Sequence, residues 1–343
     1  MTATETWKKA PVKVPAATDE PQTESYRLGG IEVAPGGVAD GRIALGTDVH
    51  GLEAGFDFRV FHGRFAGPRI VVQGGVHGDE YDGQQAVRSL FAHLDPERMH
   101  GTVIAIPCLS ETAFVVDARE SGVDSCNFNR IFPGSPTGTF SNRLADLYMR
   151  TIIPAADAMV DIHTGGAYGQ IAPLAVVQGG FEDLAQPLGM AAGNEILWKG
   201  GAWGGTSRIA FLEAGKPAVT LEYGGGTYRR EMVEHHLGSL LNILRYTGVI
   251  EGEAELLDRY RRVDATFAPS AAGGFYVAHA EPGDEVAGGA LLAEIVDHLG
   301  NVRGEVTAPN DGVVVWIRRR CATNIGEESI IFGTVLAEVT VEQ

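Results

Sequence analysis

Gly74-Gly75-Val76-His77-Gly78-Asp79-Glu80 is the stretch from which the fold of this chain is read. It follows an apolar run, Ile70-Val71-Val72, that reads as a buried strand. After it, from Gln84 to His93, the apolar spacing becomes helical, with Ala86, Val87, Leu90, Phe91 and then Leu94. The glycines allow a sharp turn and a close backbone approach, so His77 and Glu80 can both turn toward one point. Imidazole and carboxylate are good zinc ligands, and a catalytic zinc takes three such groups and keeps an open position for water. Taken alone, the segment fits an ordinary glycine-rich turn with two polar residues equally well.

Two further strand ends alter that balance. Asp161-Ile162-His163-Thr164-Gly165-Gly166 follows the apolar run Ala158-Met159-Val160. In a strand Asp161 and His163 point the same way, and a carboxylate near a ligating imidazole fixes its tautomer. Pro217-Ala218-Val219-Thr220-Leu221-Glu222-Tyr223-Gly224-Gly225-Gly226 again reads as a buried strand ending in an acid and glycines. Three strands thus deliver His77 with Glu80, His163, and Glu222 to their carboxyl ends, where open parallel sheets bind ligands.

With Asn129-Arg130-Ile131-Phe132-Pro133-Gly134, these motifs resemble, in the same order, the succinylglutamate desuccinylase/aspartoacylase family, a branch of the zinc carboxypeptidase-like fold. The resemblance runs over roughly residues 45 to 343. It implies one zinc ion per chain held by His77, Glu80 and His163, with Glu222 as general base. It also implies that Asn129 and Arg130 hold a substrate carboxylate and that Arg119 polarises the scissile carbonyl. One departure stands out: where many relatives have Asp-Leu-Asn-Arg, this chain has Asn127-Phe128-Asn129-Arg130, so an acidic group is missing behind the site.

The residue types suit that chemistry. Amide hydrolysis needs an activated water, a polarised carbonyl and a proton for the leaving amine. Zinc acidifies its water and acts as a Lewis acid, a carboxylate moves the proton, and an arginine stabilises the developing oxyanion. A second arginine, with its planar fork, suits a substrate carboxylate.

Composition narrows the setting. A chain of 343 residues buries a sizeable core and suffices for two domains. The net charge of −17 argues against nucleic acid and against anionic membranes as partners. No stretch has the length of a transmembrane helix, and Met1 to Lys9 lack the apolar core of a signal peptide. Cys108, Cys126 and Cys321 are an odd, scattered set, unlike a disulfide framework. The expectation is a cytoplasmic protein with reduced thiols.

The sequence predicts an α/β fold, a mixed, largely parallel sheet flanked by helices, followed by a C-terminal all-β, barrel-like domain. Residues 1–24 read as a flexible arm or a homo-oligomer contact, 25–264 as the catalytic domain and 265–343 as the β-rich domain. Phe56 to Phe61 alternates like an edge strand, and helices are expected over Leu144 to Ile153, Ile209 to Ala214 and Met232 to Tyr246. Gly200-Gly201-Ala202-Trp203-Gly204-Gly205-Thr206 lacks the Lys-Ser/Thr ending of a phosphate loop and is read as a loop near the site. The C-terminal part resembles a biotinyl/lipoyl-type barrel, yet residues 265–343 contain no lysine, which excludes a carrier role. That barrel is expected to cover the active-site rim or support oligomer contacts. His279, His298 and the pair His235-His236 are read as solvent-facing.

The resulting reading is a zinc amidohydrolase that removes an acyl group from a small N-acyl amino acid or close analogue. A carboxypeptidase acting on short peptides, with Arg130 on the terminal carboxylate, shares the same chemistry. A non-catalytic binding module would be expected to have lost a ligand or the base, and none is missing.

Overall fold

The computed structural model describes residues 3–200 and 204–342. At its centre four strands lie side by side, in the order Ala218–Gly224, Ala158–His163, Phe65–Gln73 and His100–Ile106, all parallel. Their apolar residues, among them Ile70, Val71, Val72, Val103, Met159, Val160, Val219 and Leu221, are fully buried. Strands covered on both faces read as continuous apolar runs, which is why these segments are conspicuous in the sequence.

Helices supply the covers. On one face Gly83 of the helix Tyr81–Leu90 lies against Ile162, and Arg230–Tyr246 packs beside that helix. On the opposite face Tyr148 of Phe140–Ala155 and Ser207 of Ser207–Glu213 reach Gln73. Because side chains alternate along a strand, Asp161 and His163 project toward this second face. The expected helices are all present, each beginning a few residues earlier than its apolar pattern.

Beyond the central block the sheet is mixed rather than largely parallel. Gly169–Val176 runs antiparallel to Ala218–Gly224, and Glu53–His62 antiparallel to both His100–Ile106 and Gly37–Thr47. The cause is connection length. Only Thr164 to Tyr168 separate Ala158–His163 from Gly169–Val176, too few residues to carry the chain back to the other end of the sheet, so it returns antiparallel on the far side of Ala218–Gly224. The outermost strand on this side is Gly37–Thr47, so the Phe56 to Phe61 segment lies one place in from the edge.

The C-terminal region contains a separate four-stranded sheet built from Gly274–Ala278, Leu291–Val296, Val302–Thr307 and Ala322–Thr323. Its other long strands, Gly312–Arg318 and Glu328–Glu342, join the main sheet, and Arg318 and Trp316 pair with Gly169 and Ile171. Ala3–Lys8, within the stretch read as an arm, runs parallel along Glu328–Glu342, and Glu5 pairs with Arg262 at 2.8 Å. Among the described residues no helix is long and apolar enough to cross a membrane.

The histidine pair needs correction. His279 and His298 are exposed, but His236 is buried, its Nε2 3.1 Å from the Tyr223 carbonyl, and half-buried His235 meets Asn194 Oδ1 at 2.7 Å. The reason is helical phase: His236 lies four residues from both Met232 and Leu240, on the apolar face, while Glu231 and Glu234 look outward. Burial pushes the His236 imidazole down to about 3 from 6.5. Unfolded chains therefore take up this proton below pH 6.5 while folded ones do not, so stability drains away as pH falls toward 3. In chelator, His236→Gln should reduce the loss of stability between pH 6.5 and 5 by about 1 kcal/mol per pH unit, read from urea unfolding; equal acid sensitivity would refute the assignment.

Candidate metal centre and active-site pocket

The turn after Phe65–Gln73 has room only for glycine at two points. Gly75 has φ of +64°, and a Cβ on Gly78 would lie 2.1 Å from the Ala113 carbonyl carbon. This turn carries His77 and Glu80 to the point where His163 ends its strand. Glu80 Oε1 lies 2.7 Å from His77 Nδ1, and Oε2 lies 2.9 Å from His163 Nδ1. The two Nδ1 atoms are 3.2 Å apart, and all three side chains are buried.

The outer ring nitrogens identify what belongs between these groups. His163 Nε2 faces Asp161 Oδ2 at 3.0 Å, and His77 Nε2 faces Asn127 Oδ1 at 3.2 Å. Both oxygens are acceptors, so each imidazole carries its proton on the outside and turns an Nδ1 lone pair inward. Two lone pairs and a carboxylate converging on one point repel one another. A cation relieves that repulsion, and two imidazoles with one carboxylate suit zinc. The donor set therefore fits a metal ion.

The charge balance agrees. Burial opposes ionisation of Glu80, yet His77 and His163 outweigh it and hold the carboxyl well below its usual range. Burial and the nearby Arg119 push His77 down to about 4, keeping its lone pair available. At His163 burial is outweighed by Asp161 and Glu80, which favour positive charge at that ring. A metal ion answers the same demand as a proton. Asp161 is itself pinned: Gln73 Nε2 donates to Oδ1 at 3.0 Å, Ser207 Oγ donates to Oδ2 at 3.3 Å, and the Tyr148 hydroxyl donates to Gln73 Oε1.

Glu222 is the register partner of His163 in the next parallel strand, so the two side chains point the same way. Burial pushes its carboxyl up to about 8, against the pull of His163. Arg119 Nη1 lies 3.2 Å from His77 Nδ1 and 3.3 Å from Glu80 Oε1. Asn129 and Arg130 form a short 3₁₀ turn, Phe128–Arg130, on the pocket wall. Asn127 caps it by accepting the Asn129 N–H at 2.9 Å. Here the amide supplies the acceptor toward both the turn and His77, in the position where the acid was expected.

All the residues expected at the site except Asp161, which lies directly behind His163, line one cavity of about 370 Å³. Among the lining residues that the sequence reading did not single out are Tyr168, Arg208, Trp316 and Glu328. Arg208 is buried, donates to Thr220 Oγ1 and Gln178 Oε1, and is pushed down to about 10 by burial. Its signal in the sequence is slight, a helix start at the cap Thr206 after a glycine-rich loop. Gly200 and Thr206 of that loop line the cavity, while Gly201, Ala202 and Trp203 lie outside the described residues. Trp316, Arg318, Glu328 and Ile331 bring the C-terminal region to the rim.

Comparison with known proteins points the same way. The profile of the succinylglutamate desuccinylase/aspartoacylase catalytic domain matches residues 66–246. The chain is 29% identical over 294 residues to N-alpha-acetyl-L-2,4-diaminobutyric acid deacetylase of Halomonas elongata, covering 80% of this chain and 84% of that protein. Product-bound ectoine utilization protein EutE (DoeB) of Ruegeria pomeroyi superposes with a TM-score of 0.81 at 26% identity, over 93% of this chain and 98% of that one. A succinylglutamate desuccinylase/aspartoacylase structure from Rhodobacter sphaeroides gives 0.77 at 27% identity, over 91% and 97%. With a catalytic-domain match across more than half of its length, the chain belongs to the succinylglutamate desuccinylase/aspartoacylase family and is a hydrolase of non-peptide amide bonds.

Proposed function

We propose that this protein is a zinc-dependent amidohydrolase that removes the acyl group from a small N-acyl amino acid. The observation that carries the reading is the pairing of Glu222 with His163 across two parallel strands, which supports a role for Glu222 as the base beside the three-donor centre. N-alpha-acetyl-L-2,4-diaminobutyric acid, the compound named for the Halomonas elongata relative, is the first substrate to assay. Zinc held by His77, Glu80 and His163 supplies a Lewis acid and lowers the pKa of water.

The chain's own residues do the rest. Glu222, whose carboxyl is raised by burial, takes a proton from the attacking water and delivers it to the departing nitrogen. Arg119, already within hydrogen-bonding reach of the centre, donates to the carbonyl oxygen as negative charge develops there. Arg130 and Asn129 hold the substrate carboxylate. Asp161 and Asn127 fix the two imidazoles so that their inner nitrogens stay aimed at the metal.

Three outcomes are expected. His77→Ala/His163→Ala should fold but retain no stoichiometric zinc by elemental analysis, and full occupancy would sink the centre. Glu222→Gln should keep its metal while turnover falls, by about a hundredfold or more; metal loss would make Glu222 a ligand, and unchanged turnover would remove it from the mechanism. The two arginines should separate kinetically. Arg130 contacts a charge that is constant through the reaction, so Arg130→Ala should mainly raise KM. Arg119 meets a charge that grows, so Arg119→Ala should mainly lower kcat, by roughly ten- to a thousandfold. The same KM change with intact kcat in both would instead make Arg119 a second carboxylate anchor.

A further inference from the structure

We propose that Glu328 is the specificity-determining residue of this pocket, selecting N-acyl amino acids whose side chain ends in a primary ammonium. The inference rests on the deacylase reading above and adds to it the substrate's side-chain charge. Four carboxylates line the cavity: Asp79, Glu80, Glu222 and Glu328. The first three have work already. Asp79 accepts the Ala167 N–H at 2.8 Å, Glu80 lies between the two imidazoles, and Glu222 is the base. Glu328 differs from them: its carboxylate makes no hydrogen bond or ion pair with any described residue.

Its position is nevertheless fixed. Glu328 opens the strand Glu328–Glu342, and Ser329 and Ile330 directly after it are fully buried. Buried Arg318 donates to the Glu328 carbonyl at 3.1 Å, to the carbonyls of Arg320 and Ala322, and to the Glu327 carboxylate at 2.8 Å. The charge of Arg318 is thus met by Glu327, and its fork serves to hold the backbone from which Glu328 projects. Glu328 lines the same cavity as Arg119 and Arg130, and against the upward push of burial on its carboxyl the charges of Arg119, Arg130 and Arg318 all act. Trp316, Tyr168 and Ile331 supply apolar wall, suited to a short alkyl chain. Glu328 is exposed on the same cavity lining as this wall, so its carboxylate is accessible to a cationic group on a bound substrate.

The test compares three acetylated amino acids with the zinc-loaded protein: N-acetyl-L-2,4-diaminobutyrate, its uncharged isostere N-acetyl-L-norvaline, and N-acetyl-L-aspartate. Wild type should favour the first over the second by about ten- to a hundredfold in kcat/KM, the scale of one hydrogen bond to a charged group. In Glu328→Gln that ratio should collapse toward one, and Glu328→Lys should shift preference toward the aspartate compound. Calorimetric binding of free 2,4-diaminobutyrate against norvaline should show the same preference and the same loss. A ratio that survives in Glu328→Gln, a uniform loss on all three substrates, or a wild-type preference for the aspartate compound each overturns the proposal. The last would assign side-chain reading to Arg208. If wild type hydrolyses none of the three, the deacylase reading fails, and the calorimetric comparison still decides whether Glu328 recognises an ammonium group.

Discussion

The structure depends on the register of three parallel strands. Gln73 pairs with Asp161, and His163 pairs with Glu222. A slip of one residue in either ladder would turn the affected side chains to the opposite face. The buried apolar residues that precede and alternate with the polar ones oppose that slip, since a one-residue shift would turn the polar side chains of the site against the opposite helices. Core packing and the site are therefore set by a single constraint: hydrophobic burial aligns the strands, and alignment assembles the chemistry.

Behind the metal ligands a buried polar chain runs from Tyr148 through Gln73 and Asp161 to His163, with Ser207 joining from a second helix. Every member has a partner, as a buried polar network requires to be stabilising rather than costly. It ties the orientation of one imidazole to two helices on the same face of the sheet. His77 is held more lightly, by Asn127 at the start of a 3₁₀ turn.

Much of this was legible in the sequence. The three strand ends, their order and the identity of the donors follow from apolar runs closed by polar residues and glycines, a local signal. Arg119, Asn129 and Arg130 were found through the family's motif order, and the structure brings them to the same cavity. What escaped depends on distant pairing. The antiparallel direction of Gly169–Val176 follows from a short link whose consequence appears only when neighbours are known. Trp316 and Glu328 look like ordinary β-region residues until Gly312–Arg318 docks on Gly169–Val176. His236 sits in sequence among Glu231, Glu234 and His235, and only the helical phase shows that it shares the apolar stripe with Met232 and Leu240.

The docking of that last region also divides the chain's labour along its length. Every proposed metal ligand, the proposed base and both proposed catalytic-side arginines precede residue 223, whereas Trp316, Glu328 and Ile331 follow residue 311. The chemistry of bond cleavage and the shape of the entrance are written in separate stretches of sequence that meet at the cavity where Gly312–Arg318 pairs with Gly169–Val176. Substitutions in the later stretch can thus redirect which compounds are admitted while leaving the earlier stretch, and the strand register it depends on, untouched.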